Sequence, residues 1–167
     1  MPPTWVTSLF GPLILVPESA CADWPGAPDP YPDGTGDHDR AGEVDEYVDV
    51  IDFHDAQVLV LGEEQFRTTY LPAHRTLVRL GAADSDVDLP ALVGELLPDA
   101  VWTSVVGWAI TEPVVLFDSA YGGAELAGEE HLRIDLEPGD YVAEGAWVET
   151  RGACLILVRL TPRGANP

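Results

Sequence analysis

The chain contains no lysine. Its eight cationic residues are all arginine, set against 29 aspartates and glutamates, and the net charge over 167 residues is −21. This deficit removes the Schiff-base and phosphate-loop chemistry that lysine carries. It also argues against nucleic acid as a partner, because neutralising phosphates takes a basic stripe. Long apolar runs are missing too. The cleanest stretches, Leu13–Val16, Val58–Leu61, Val114–Phe117 and Ala153–Val158, fall far short of the ~20 residues of a membrane span, so no membrane partner is expected. No Lys or Arg precedes Arg40, and Gly11, Pro12 and Glu18 break the apolar segment near the start, so no export signal is read there. Cysteine is scarce. Cys21 and Cys154 read as reduced core thiols, and a cytoplasmic location follows.

What is present is a folding sequence. At 46% apolar residues the chain is too rich in Val, Leu, Ile and Trp for a disordered acidic segment, and its length suits one core, read as a single domain over 1–167. Short β-branched and aromatic runs separated by Gly, Pro and Asp predict strands at Leu13–Val16, Val48–Phe53, Gln57–Leu61, Arg67–Leu71, Thr76–Ala82, Val101–Ile110, Val114–Ser119, Leu132–Leu136, Tyr141–Val148 and Cys154–Leu160. Cys154–Leu160 is nearly all apolar and is expected inside a sheet with both faces covered. Glu137-Pro138-Gly139-Asp140 carries type II turn residues and predicts a hairpin joining Leu132–Leu136 to Tyr141–Val148. Helices are expected after the capping residue Asp88, ending at Pro98, and in short pieces over Pro17–Trp24 and Asp39–Tyr47. The expected fold class is α+β, a mostly antiparallel β-sheet with two or three short helices. Residues 25–37, rich in Pro, Gly and Asp, read as a long loop.

Few constellations carry chemistry. Asp29, Asp33, Gly34 and Asp37 match parts of a calcium loop, but Tyr31 and Arg40 occupy positions that need ligands, so no metal is assigned. Asp37, His38, Asp39 and His54 supply metal-ligand types without a specifying spacing, and leave a small metal-assisted hydrolase as an alternative function. No serine sits in a GxSxG elbow and Gly34-Thr35-Gly36 is not a dinucleotide cradle. Neither a catalytic residue nor a cofactor is expected. The five tryptophans, Trp5, Trp24, Trp102, Trp108 and Trp147, read as core anchors, and any left exposed would be a binding candidate.

Acid is concentrated. Residues 29–64 hold Asp29, Asp33, Asp37, Asp39, Glu43, Asp45, Glu46, Asp49, Asp52, Asp55, Glu63 and Glu64 against Arg40 alone, a local net of −11. A solvated face, salt adaptation or GC-rich coding accounts for the total. The clustering points instead to a basic protein partner, since complementary potentials speed association. Asp37, Asp39, Glu43, Asp45, Glu46, Glu63 and Glu64 are the candidate partner-binding residues. A third function, an orphan acidic regulatory domain binding another protein, shares this feature.

Several short motifs in order resemble a known family. Trp5-Val6-Thr7-Ser8 leads to Gly11-Pro12-Leu13. Asp37-His38-Asp39-Arg40-Ala41 comes next, followed by Leu59-Val60-Leu61-Gly62-Glu63-Glu64 and Thr68-Thr69-Tyr70. Ala83-Asp84-Ser85, Pro138-Gly139-x-Tyr141 and Leu157-Val158-Arg159-Leu160 close the series. Together they are similar to the immunity protein 21 family of bacterial polymorphic toxin systems. Phe10, His38, Gly42 and Gln65 depart from the residues usual there. The resemblance implies a non-catalytic inhibitor that binds and neutralises a cognate toxin, possessing no family catalytic residues to carry over. A toxin with a basic active-site groove would suit the acidic segment. Gly11, Pro12 and Gly62 are expected to serve turns.

Overall fold

The computed structural model describes residues 3–27 and 36–164; most of the expected loop, residues 28–35 with Asp29 and Asp33, lies outside them. Ten strands follow one another: β1 (Leu13–Pro17), β2 (Asp49–Phe53), β3 (Ala56–Leu61), β4 (Arg67–Leu71), β5 (Thr76–Ala83), β6 (Ser104–Ile110), β7 (Val114–Asp118), β8 (His131–Ile134), β9 (Gly139–Glu149) and β10 (Ala153–Pro162). The helices are α1 (Asp37–Gly42) and α2 (Leu89–Leu96), with 3₁₀ turns at Glu18–Asp23, Pro72–His74, Leu97–Asp99 and Gly123–Gly128. The fold is α+β, and every strand pairing is antiparallel.

The strands form two sheets. Their orders are β2-β3-β1-β7-β8 and β4-β5-β10-β9-β6. Alternation along each strand explains how they pack, because successive side chains point to opposite faces. Leu13, Leu15, Leu59, Leu61, Val114 and Leu116 of the first sheet meet Leu77, Trp108, Tyr141, Ile156 and Val158 of the second in one shared core. The intervening residues bury the outer faces. Ile14, Val16, Val58, Val60 and Phe117 lie under Cys21 and Trp24 of the first 3₁₀ turn, Leu126, and Ala41 of α1. Leu155, Leu157 and Val78 lie under α2 through Val93. Hence β1 and β7 are buried at every position, and β10 has both faces covered, as its apolar run requires. Each such leucine or valine removed from water contributes roughly 1.5–3 kcal/mol.

One expected pairing is corrected. Leu132–Leu136 and Tyr141–Val148 do not form a hairpin: β8 pairs with β7 in the first sheet, Ile134 opposite Val114, while β9 pairs with β6 and β10 in the second. Glu137–Gly139 is instead a crossover between sheets. Leu136 drops into the shared core and the Tyr141 hydroxyl donates to the Glu137 carbonyl at 2.6 Å. Pro-Gly chemistry reverses the chain locally but does not choose which strand is joined next. Helices shift as well. Asp88 caps α2 by accepting the Ala91 N–H, as expected. The segment after Pro17 is only a 3₁₀ turn, and α1 ends at Gly42, so Tyr47 reaches the shared core from an irregular connection rather than from a helix. The strand read from Val101 begins at Ser104.

Candidate functional site: an acidic end held by a buried arginine

Asp45 and Glu46 follow α1, and Glu63 and Glu64 follow β3. These two connections meet because Gly62 lies directly against the first: a β-carbon on it would sit 2.3 Å from the Glu46 carbonyl oxygen and 2.7 Å from Val44. Arg79 ties them together. Its side chain rises from the middle of β5, is 1% exposed, and donates to the backbone carbonyls of Tyr47 at 2.9 Å, Gly62 at 2.6 Å and Glu64 at 2.6 Å. A guanidinium is suited to this, since its planar fork serves several acceptors at once. Burial lowers the Arg79 pKa to about 10, against the raising fields of Glu64 and Glu63. Arg79 stands in the apolar run Leu77–Leu80; the sequence reading did not single it out, and a lone charge within a buried strand is the signal that marks it.

A shallow groove of about 290 Å³ opens beside this junction, lined by Asp45, Glu46, Tyr47, Glu63, Thr103 and Ser104. Glu46 is fixed in it, accepting from the Ser104 hydroxyl at 3.0 Å, and that hydroxyl oxygen in turn accepts the Tyr47 N–H at 3.2 Å. Of the seven candidate acids, the fold therefore brings Asp45, Glu46 and Glu63 into one groove, with Glu64 adjoining in sequence. Asp37 and Asp39 have local duties. Asp37 holds Arg40 at 2.5 Å, and Asp39 reaches back to the Gly36 N–H at 3.2 Å, closing the first turn of α1. Glu43 is exposed just past that helix.

The same end of the molecule carries a buried carboxyl group that the sequence reading passed over. Asp118, at the end of β7, is fully buried and accepts the N–H groups of Leu9 at 2.8 Å, Phe10 at 3.0 Å and Ala120 at 2.9 Å. Gly11 is required here. A β-carbon on it would lie 2.6 Å from the Ser119 hydroxyl oxygen and 2.8 Å from His38 Cε1. So Gly11 and Gly62 are both required by close approach of neighbouring chain, with neither in the left-handed region. His38 packs against Gly11, and among the described residues no group of three or more His, Cys, Asp and Glu side chains is placed to hold a metal. Asp37, His38 and Asp39 point to separate tasks and do not converge.

Other candidates are dispersed. Trp24 and Trp108 are core anchors whose indole N–H groups donate to the carbonyls of Ser119 and Gln57. Trp5 and Trp102 lie beneath Arg67 and Arg159. Trp147, 37% exposed, leans against Phe66. Cys21 is buried outside the first sheet and Cys154 half-buried in the second, both free; burial, with Glu18 and Glu112 nearby, pushes the Cys21 thiol up to about 11. At the opposite end, a cleft of about 830 Å³ between β4 and β8 is lined by Tyr70, Arg75, Ile134, Leu136, Tyr141 and Arg163 among others, and by none of the candidate acids. Among the described residues no helix is long and apolar enough to cross a membrane.

Two antiparallel sheets sharing a core, with acidic connections gathered at one end, define a small α+β protein. The family model for immunity protein 21 matches residues 4–154, and the chain belongs to that family. No curated protein and no solved structure matches it. Two pairs of the motifs that carried the resemblance meet in space: Val6 bridges to Thr68, and Gly11 abuts His38.

Proposed function

We propose that this chain is a non-catalytic immunity protein that binds and neutralises a cognate polymorphic toxin in the cytoplasm of the cell making it. The observation carrying this reading is family membership over residues 4–154. Two features support the acidic end as a contact. The acids Asp45, Glu46, Glu63 and Glu64 lie on the two connections that Arg79 holds through the Tyr47, Gly62 and Glu64 carbonyls, and Asp37, Asp39 and Glu43 lie on and just after α1. A fixed array of carboxylates loses little freedom on binding and steers a basic partner over about a Debye length, ~10 Å at moderate salt. A toxin whose active-site groove is basic fits such an array, which takes the place of the substrate's own charge.

Co-expression with the toxin domain encoded by the neighbouring gene, scored for growth, tests the immunity reading. Rescue supports it, and unrelieved killing overturns it. The surface is tested separately by charge reversal at Asp45, Glu63 and Glu64, all exposed. Affinity should fall and its dependence on salt should flatten. Unchanged affinity with an unchanged salt slope removes this surface from the interface while leaving immunity intact.

A further inference from the structure

The turn before β1 exposes two large apolar side chains in succession, Leu9 at 55% and Phe10 at 70%. Exposed side chains on a loop usually belong to backbone that can move away. Here the backbone is held from beneath. Both N–H groups end on the buried Asp118 carboxyl, at 2.8 and 3.0 Å. The Ser8 hydroxyl donates to the Gly11 carbonyl at 2.6 Å and closes the turn. Gly11 is pressed against Ser119 and His38 with no room for a β-carbon. The Phe10 ring meets Tyr121 edge-on, with centroids 6.3 Å apart, so even the side chain has a preferred direction.

Register places this turn at the acidic end. Leu13 lies opposite Leu61 on one side and Asp118 on the other, so Leu9–Gly11 emerges at the same end of the first sheet as Gly62–Glu64. Asp37 and Asp39 flank the His38 that packs on Gly11, and Glu130 accepts the Thr7 N–H at 3.2 Å. An aromatic and a leucine projecting from fixed backbone, with carboxylates around them, have the anatomy of an interface centre: an apolar anchor within a charged rim.

We infer that Leu9 and Phe10 form the apolar anchor of the toxin interface, entering an apolar pocket on the toxin that is rimmed by basic side chains. The inference rests on the immunity reading above. Charge complementarity selects this occupant. In a symmetric pair of identical chains the same patch would face itself, and its acids would oppose one another. A toxin with a basic rim meets both the apolar centre and the acidic surround. Because the turn is set before binding, little ordering cost remains to be met in the complex.

Calorimetric titration of the purified chain with the toxin domain encoded by the neighbouring gene tests this. Thermal melts and sedimentation of each variant accompany the titration. Phe10→Ala should weaken binding by about thirtyfold or more, the scale of an interface anchor. Its melting temperature should fall by no more than the loss of the Tyr121 contact, a few degrees, and the salt slope of binding should not change, since the side chain leaves no core and carries no charge. Phe10→Trp, which keeps a large aromatic, should restore most of the affinity. If the unaltered chain binds toxin and Phe10→Ala binds within about twofold of it, the anchor is overturned and the immunity reading survives. A dimer of the unaltered chain that Phe10→Ala dissociates assigns the patch to a second copy and also overturns the inference. Failure of the unaltered chain to bind overturns both.

Discussion

At the scale of single residues, Arg79 decides most. In an apolar strand it takes the place of a leucine or valine, at the cost of desolvating a charge, and it offsets that cost through the carbonyls it collects and the fields of Glu64 and Glu63. Arg79→Met keeps the volume and drops the donors, leaving the Tyr47, Gly62 and Glu64 carbonyls unserved. The expected loss is about 2–3 kcal/mol in urea denaturation, with a fall in toxin affinity because Asp45 and Glu63 lose their fixed spacing. Cys21 gives a pH signature. Its thiol titrates near 11 in the folded chain against an ordinary 9.0, so above pH 9 the unfolded chain releases a proton that the folded chain retains. The contribution is therefore fully present below pH 9 and declines as pH rises toward 11. Between about pH 8 and pH 10.5, unaltered protein should lose more stability than Cys21→Ala, read as the shift in urea midpoint. Equal shifts would show that burial does not hold the proton there.

At the scale of elements, the meeting of the α1–β2 and β3–β4 connections turns on Gly62. Its φ is not in the left-handed region; its constraint is space, with backbone of Glu46 on one side and Val44 on the other. Gly62→Ala forces the two connections apart, and a loss of about 1–3 kcal/mol in thermal or urea melts is expected, accompanied by weaker toxin binding. Gly42→Ala, with open space where its β-carbon would go, is the control and should be close to neutral. Strands were legible element by element, because β-branched runs bounded by Gly, Pro and Asp leave few other readings. Their partners were not. Pro138-Gly139 marks a reversal in either case, and the pairing is visible only in the fold, where β8 joins β7 in the first sheet and β9 joins β6 and β10 in the second. The same limit applies to α1. Ala41, Val44 and Tyr47 have helical spacing, yet the connection leaves the helix at Gly42 so that the Tyr47 carbonyl can reach Arg79.

At the scale of the whole molecule, charge dominates. Eight arginines against 29 acids leave a folded chain that repels itself, and several of those arginines are engaged locally with Asp37, Glu18 and Glu144. Added salt screens this repulsion. Melting temperature should therefore rise by a few degrees between ~10 and ~150 mM NaCl, while affinity for a basic toxin falls over the same range. A melting temperature that does not move with salt would mean the acids are already well separated in the fold.

Composition and pattern alone determined the acidity, the strand-rich α+β class, the double burial of β10 and the family, since each follows from residue types and their local order. The acidic cluster was likewise visible as a run of charge. Which of its members act together was decided only by tertiary structure. Asp37 and Asp39 also hold Arg40 and the first turn of their own helix, whereas Asp45, Glu46 and Glu63, 18 positions apart at their widest, were joined by one buried guanidinium. Leu9 and Phe10 could not be singled out from sequence, because an apolar pair looks the same buried or exposed until the fold places Asp118 beneath its backbone and leaves its side chains in solvent.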